Sequence, residues 1–500
     1  MSNLRLADVF TDHMILQRDM RIPIWGTAVG ESKITIEFCG QIIEALVVNE
    51  KWCAYLKPLK AGGPFEMKIN SVVTLKNVLV GEVFVAGGQS NMQFILKDSL
   101  HGDEVVSNAD FNEIRYYDVP RIEYEDSGNK QGADPTGWQI CNPDNAGAFS
   151  AVAYYFSKKL HEALKVPIGI ISCNWGGTSA SCWMSEEYIA SDENLKVYLD
   201  EYHKQIKNQT DEEYNQKCSA YYKRTEAFTK KVEEFKLLHP DTDQGRIERE
   251  VGNYPWPPPM GRKSFLRPAG LYDTMLKKVI KYGIRAIIFY QGESDTHKPQ
   301  LYKTLFEKMI QNWRKEWGNQ NLTFIFTQLP FYNDKTVQKD SWAYVREAQL
   351  QIMKKDKNIG MAVITDCGEE DNIHPINKKP VGERLALTAL NKIYGYRVIC
   401  SGPIYHSYEI NGNRIIVNFV HSEGGLLAKG GALKGFTICG SDGEFVAAEA
   451  EIKGNSVEVS AKEIDNPIAV RYGWANYSET NLYNADGLPA SPFRTDKDRR

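Results

Sequence analysis

The run Val83-Phe84-Val85-Ala86-Gly87-Gly88-Gln89-Ser90-Asn91-Met92 decides how the chain is read. A strand-sized apolar run ends at a glycine pair, and Ser90 sits where the strand should break into a helix. Near the far end of the chain, Asp371-Asn372-Ile373-His374 sets a carboxylate and an imidazole three residues apart. A serine hydroxyl is a poor nucleophile until a histidine takes its proton. The histidine in turn needs a carboxylate to fix its tautomer and stabilise its charged form. Ser90, His374 and Asp371 are therefore the candidate nucleophile, base and orienting acid of a serine esterase.

Outward from Ser90, roughly residues 79–397 alternate strands with amphipathic helices. Val152, Tyr155, Phe156, Leu160, Ala163 and Leu164 form one helical stripe, and Ile168-Gly169-Ile170-Ile171 follows it as a strand. The alternation recurs at Leu271 to Lys281 before Ala286 to Tyr290, at Leu301 to Trp317 before Thr323 to Phe326, and before Met361 to Ile364. Five buried strands with crossover helices predict an α/β fold with a doubly wound parallel sheet. Ligands of such sheets bind beyond the carboxyl ends of the strands. Ser90, Asn174-Trp175-Gly176-Gly177-Thr178, Gln291-Gly292-Glu293-Ser294-Asp295 and the Asp371 to His374 segment all begin at or soon after a strand end.

Both flanks read as β structure. Residues 1–78 alternate short runs with turns: Lys33-Ile34-Thr35-Ile36-Glu37-Phe38 alternates strictly, and Ala61-Gly62-Gly63-Pro64 punctuates later runs. The pattern predicts a small β-sandwich. From 398 to 500 the chain is β-rich again, with turns at Asn411-Gly412 and Asp442-Gly443, forming a separate sandwich or completing the first. Residues 185–262 interrupt the core with a charged helical stretch ending in Tyr254-Pro255-Trp256-Pro257-Pro258-Pro259. This is either a surface insertion or a lid or wall of the cleft.

At 500 residues two or three domains are expected. A hydrophobic fraction of 42% with 25% charged residues is that of a soluble globular protein. A net charge of -4 and the lack of a basic stripe argue against a nucleic-acid partner. No apolar run is long enough to cross a bilayer, so no membrane partner is expected. Met1-Ser2-Asn3-Leu4-Arg5-Leu6 lacks the apolar core of a signal peptide. That predicts a cytoplasmic protein, or a periplasmic or secreted one if a signal has been removed. Nine cysteines without C-x-x-C spacing read as mostly buried thiols in a reducing compartment. Nothing in the sequence sets an oligomeric state.

Each motif has a plainer alternative. Ser90 taken alone is a helix cap. It is not in a G-x-S-x-G elbow, because Met92 stands where the last glycine would be, which disfavours the α/β-hydrolase fold. Asp371 and His374 fit a surface Asx turn with a solvated imidazole, and Asp366, Glu369 and Glu370 compete for the acid role. With one histidine and no second ligand set at usual spacing, no metal site is expected there. Gly176 and Gly177 can present an N–H to a developing oxyanion or simply make a tight turn. Gln291 can add a side-chain N–H or satisfy backbone groups as a buried amide.

Together, Gly88-Gln89-Ser90-Asn91-Met92, Trp175-Gly176-Gly177-Thr178, Tyr290-Gln291-Gly292-Glu293-Ser294 and Asp371-x-x-His374 resemble the sialate O-acetylesterase family, a branch of the SGNH hydrolases. Val9 to Arg18, Asn481 to Asn484 and Pro492 to Asp496 are similar to that family's flanking β regions. The resemblance implies Ser90 as nucleophile, His374 as base and then acid, and Asp371 as its partner. It implies an oxyanion hole from the Ser90 backbone N–H, one of the Gly176 and Gly177 N–H groups, and Gln291. The last stands where wider SGNH hydrolases carry asparagine, and the branch resembled here also uses glutamine.

The implied reaction is two-step acyl transfer without a cofactor, and the implied substrate is an O-acetylated sialic acid. Arg267 is a candidate for the sugar carboxylate, or else a surface or fold-supporting ion pair. Trp175 is a candidate for the sugar face, or else core. Two other readings stand beside this one. One is an acetylesterase of plant polysaccharides such as acetylated xylan. The other is a carbohydrate-binding protein with an idle hydrolase core, against which four intact rim motifs argue.

Overall fold

In the computed structural model, residues 3–124, 130–131, 137–240, 242 and 244–496 are described. Met1 and Ser2, where the reading of the N-terminus begins, lie outside them, as do Asp241 and Asp243 of the insertion. The fold is mixed α/β with several sheets, the largest combining parallel and antiparallel pairing. The strands named here are β1 (Val73–Gly88), β2 (Phe111–Asp118), β3 (Ile168–Asn174), β4 (Ala286–Tyr290), β5 (Thr323–Gln328) and β6 (Ile359–Val363). The chain divides into two compact units, Met1–Gln291 with Thr304–Phe324, and Gly292–Lys303 with Ile325–Arg500.

In the first unit, β1 does two jobs. Its early half pairs antiparallel with Gly62–Ile69 and parallel with Ile15–Gln17. Its late half lies between β3 and β4, parallel to both. Val80 through Gln89 are buried without interruption, as expected of a strand covered on both faces. The strand therefore runs unbroken across residues 78 and 79, where a domain boundary was expected. β2, which the sequence reading did not pick out, lies parallel beyond β3, and Gln139–Cys141 pairs antiparallel with it. The alternation over Lys33–Phe38 puts Ile34, Ile36 and Phe38 inside, and this strand forms a hairpin with Gln41–Leu46.

Glu82 on β1 is buried and ties three segments together. Its carboxylate accepts from Gln17 Nε2 at 2.8 Å, Arg18 Nε at 2.7 Å and Arg285 Nε, just ahead of β4, at 2.8 Å. A buried carboxylate is tolerated because each lone-pair direction meets a charged or amide donor.

The helix Ala151–Leu164 buries Val152, Tyr155, Phe156 and Leu160 and is capped by Ser150, whose hydroxyl accepts from Ala153 N at 3.2 Å. The helix expected over Leu271 to Lys281 is instead two short turns, Gly270–Thr274 and Leu276–Lys278, broken at Met275. Leu271, Tyr272, Met275, Leu276, Val279 and Ile280 are all buried at the helical spacing that predicted the element, although the backbone is not one continuous helix. The charged insertion carries the 28-residue helix Asp211–Leu238, closed at its start by a reciprocal capping box between Thr210 and Glu213. Of its described residues only Tyr221 is buried.

In the second unit, β5 from Ile325 onward is hydrogen-bonded to β6, against which the helices Ser341–Lys355 and Lys379–Lys392 pack. The C-terminal stretch forms two four-stranded antiparallel sheets, one built on Ile404–Asn411 and Arg414–Val420, the other on Phe436–Cys439 and Ala469–Tyr472. Ile415, Val417 and Val457 from one, and Ile438, Val470 and Phe493 from the other, share one core. The turn predicted at Asn411-Gly412 is a two-residue hairpin loop of Gly412 and Asn413, with Asn411 paired to Arg414 and Gly412 at φ 59°. All nine cysteines are free thiols, four of them buried and Cys39 exposed.

Candidate active site

Ser90 is positioned by an abrupt end to β1. Gly88 has φ 139°, and a Cβ there would lie 2.1 Å from the Tyr290 carbonyl oxygen; a Cβ on Gly87 would meet the Phe289 ring at 2.9 Å. Only glycine allows β1 to run this close to β4 and turn. Gln89 N–H donates to Tyr290 O at 3.1 Å, and the single helical turn Ser90–Gln93 follows with Ser90 as its first residue, half-buried. The serine is thus presented at the carboxyl end of the central strand, where the motif pattern predicted it.

The loop after β3 reaches the same point. Trp175 N–H donates to Gly88 O at 3.2 Å, and a Cβ on Gly176 would lie 3.2 Å from Ser90 Cβ, so the glycine backbone is in contact with the serine. Gly176 N–H donates to Gln93 Oε1 at 2.7 Å. Of the two glycines offered as oxyanion donors, Gly176 therefore already gives its N–H to a side chain on the serine's own helical turn. Gly177 has φ 73° and lies under the indole of Trp256. Gln291, at the end of β4, is 1% exposed, and its Nε2 donates to Thr178 O at 3.2 Å. Thr178 Oγ1 in turn donates to Trp175 O and accepts from Trp183 Nε1, each at 2.8 Å. Ser90, Gly176, Gly177 and Gln291 are thus gathered in the first unit by backbone contacts and a short hydrogen-bonded chain.

Trp175 is buried, with its ring stacked on Phe265 at 4.5 Å and 10°, in keeping with the core alternative named for it. Arg267 Nη1 donates to the Glu123 and Ser264 carbonyls at 2.6 and 2.9 Å, and its guanidinium lies 5.5 Å from the Tyr124 ring. These contacts favour its fold-supporting alternative.

In the second unit, Asp371 is exposed, while His374 is half-buried on a turn closed by its own N–H donating to Asn372 Oδ1 at 2.9 Å. The turn is the Asx type, but the imidazole is not solvated. Burial, and then the Lys378 ammonium, push it down to about 4. The three competing carboxylates have other partners. Asp366 is held by Arg384 at 2.5 and 2.8 Å and by the Tyr483 hydroxyl at 3.2 Å. Glu369 accepts from Asn372 Nδ2 at 2.9 Å, and Glu370 from Asn333 Nδ2 at 3.2 Å. Among the described residues no group of three or more His, Cys, Asp or Glu side chains is arranged to hold a metal ion.

The sequence reading missed three residues. Gln93 is one past the quoted motif, and nothing in spacing alone joins it to Gly176. Trp256 was visible only as part of a proline-rich run. Lys378, 1% exposed, is pushed down to about 7 by burial, against the opposing charges of Glu293, Cys367 and Glu369. A lysine four residues after a histidine carries no signal of its own.

A strand-end serine beside a glycine loop, on a mixed α/β scaffold, is compatible with a carboxylic ester hydrolase. Residues 260–391 match the model of a carbohydrate esterase family described as sialic acid-specific acetylesterase, a span that holds Gln291, Asp371 and His374. Over 538 residues the chain is 25% identical to the sialate O-acetylesterase of Mus musculus, covering 98% of this chain and 94% of the mouse protein. It is also 25% identical to that of Homo sapiens, covering 98% and 92%. Among solved structures, a carbohydrate acetylesterase from Xanthomonas citri aligns with TM-score 0.79 and 29% identity over 99% of this chain and 100% of that one. Over nearly its whole length the chain is thus similar to sialate O-acetylesterases, and it acts as a carboxylic ester hydrolase.

Proposed function

We propose that the chain removes O-acetyl groups from sialic acids through an acetyl-enzyme on Ser90. The observation that carries this is the approach of the Gly176 backbone to Ser90 at the end of β1, which sets a glycine loop beside the candidate nucleophile. Ser90 Oγ attacks the acetyl carbonyl while His374 takes its proton, and Asp371 holds the imidazole. The tetrahedral oxyanion is met by the Ser90 N–H, a Gly176 or Gly177 N–H, and Gln291. His374 then protonates the departing sugar oxygen, and the same base activates a water that releases acetate and restores Ser90. In this mechanism Ser90, His374 and the oxyanion donors carry every step, and no cofactor enters it.

We also propose the finer fold: an SGNH-type doubly wound sheet over 79–397, flanked by β-sandwich-type regions at 1–78 and 398–500. The nine free thiols support a cytoplasmic setting. A second reading, deacetylation of other O-acetylated sugars such as xylan, is supported by the Xanthomonas relative, which is described only as a carbohydrate acetylesterase. An active-site serine phosphonate tests the mechanism common to both: it should label the wild-type protein and fail to label Ser90→Ala. Absence of labelling on both would favour a non-catalytic carbohydrate-binding protein.

A further inference from the structure

The proline-rich end of the charged insertion brings an exposed aromatic ring to the serine loop. Trp256 is 49% exposed, whereas Trp138, Trp183, Trp313 and Trp342 are fully buried. Its indole lies directly on Gly177: a Cβ on that glycine would be 2.1 Å from Trp256 Cζ2 and 2.3 Å from Cη2. Gly177 follows Gly176, whose backbone touches Ser90, so one peptide step of about 3.8 Å separates the glycine under the indole from the one against the nucleophile. The indole also meets Phe265 at 6.4 Å and 56°, and Phe265 stacks on Trp175.

The ring is also held in place. Tyr254, two residues earlier, meets Phe228 of the helix Asp211–Leu238 edge-on at 5.7 Å. Pro255, Pro257, Pro258 and Pro259 restrict the backbone on both sides. A large apolar surface left exposed and fixed beside a reactive group marks a ligand contact, because a preorganised aromatic face loses little entropy on binding.

We infer that Trp256 is the platform on which the sugar ring of the acetylated substrate stacks, so that the insertion, and not the sheet, sets the preference for sugar esters over simple ones. The inference rests on the reading of Ser90 as the esterase nucleophile. The C–H face of a pyranose packs against the indole while its hydroxyls stay in water, and the O-acetyl arm extends past Gly177 toward Ser90. A simple acetyl ester such as ethyl acetate has no ring to stack.

The test is steady-state kinetics of wild type, Trp256→Leu, Trp256→Phe and Ser90→Ala on O-acetylated sialic acid and on ethyl acetate. Leucine keeps apolar bulk over Gly177 but removes the flat face; phenylalanine keeps a flat face. Trp256→Leu should lower kcat/KM for the sugar ester by at least tenfold, chiefly through KM, with a loss on ethyl acetate at least tenfold smaller, and Trp256→Phe should restore most of it. Equal losses on the two esters would overturn the inference, leaving the indole as mere support for the Gly177 loop. So would a Trp256→Leu variant as active on the sugar ester as wild type. Turnover that survives Ser90→Ala would instead overturn the underlying esterase reading, whatever the Trp256 variants do.

Discussion

Ser90 follows two glycines, Gly87 and Gly88, whose lack of a side chain lets β1 meet β4. In Gly88→Ala the methyl group would be driven into the Tyr290 carbonyl at a φ that L-residues rarely adopt. Backbone strain alone should then cost about 1–3 kcal/mol, read as a lower urea midpoint with an unchanged slope. Gln93 tests a different property. Its carbonyl oxygen holds the Gly176 N–H, so we expect Gln93→Ala to lower kcat/KM by about ten- to a hundredfold through misplacement of the loop, with little change in stability. Unchanged or higher activity would mean that Gln93 only occupies an N–H the oxyanion needs. At His374, the neutral imidazole is the proposed base, and burial with Lys378 nearby pushes it down to about 4. Protonation removes the base, so the acidic limb of kcat/KM should be centred near pH 4; a limb near 6.5 would contradict the buried setting. The same shift bears on stability. The folded-state value lies below the ordinary 6.5, so between pH 6.5 and 4 the unfolded chain binds the extra proton. The contribution of His374 is present above pH 6.5 and is lost as pH falls through that window.

At the scale of elements, the legible parts were those with one face in and one face out, or with apolar runs buried throughout. Lys33–Phe38 alternated in sequence and alternates in burial, and β1, β3 and β4 read as continuous apolar runs because helices and loops cover both faces. β2 escaped because Asn112, Glu113 and Arg115 break its apolar pattern. Arg115 is nevertheless buried, its guanidinium donating to the Asn112 and His13 carbonyls at 2.7 and 3.0 Å. The segment Leu271 to Lys281 was read as one helix because its apolar residues recur at helical spacing, although Met275 breaks it in two. Glu82 shows how β1 is locked to its neighbours. Glu82→Ala should cost about 3 kcal/mol, the low end for breaking a buried ion pair, since Arg18 and Arg285 are part exposed; Glu82→Gln should cost less. Chemical denaturation of the two variants side by side checks the ranking.

For the molecule as a whole, the position of Ser90 at the end of a buried strand was legible, because the apolar run Val83 to Ala86 stops at a glycine pair. Ser90, Gly176, Gly177 and Gln291 belong to the first unit, Asp371 and His374 to the second. What the spacing could not carry was the company these residues keep: Gln93 reaching a loop 83 positions away, or Trp256 lying on Gly177. Those contacts depend on how the chain returns on itself, not on local periodicity. The measurement that tests the central claim most directly is acetate release from 9-O-acetylated sialic acid and from acetylated xylo-oligosaccharide, by wild type and Ser90→Ala in parallel. The account predicts release from the sialic acid by wild type and its loss in Ser90→Ala. Release from the xylo-oligosaccharide alone would contradict the proposed substrate, and release that persists without Ser90 would contradict the proposed nucleophile.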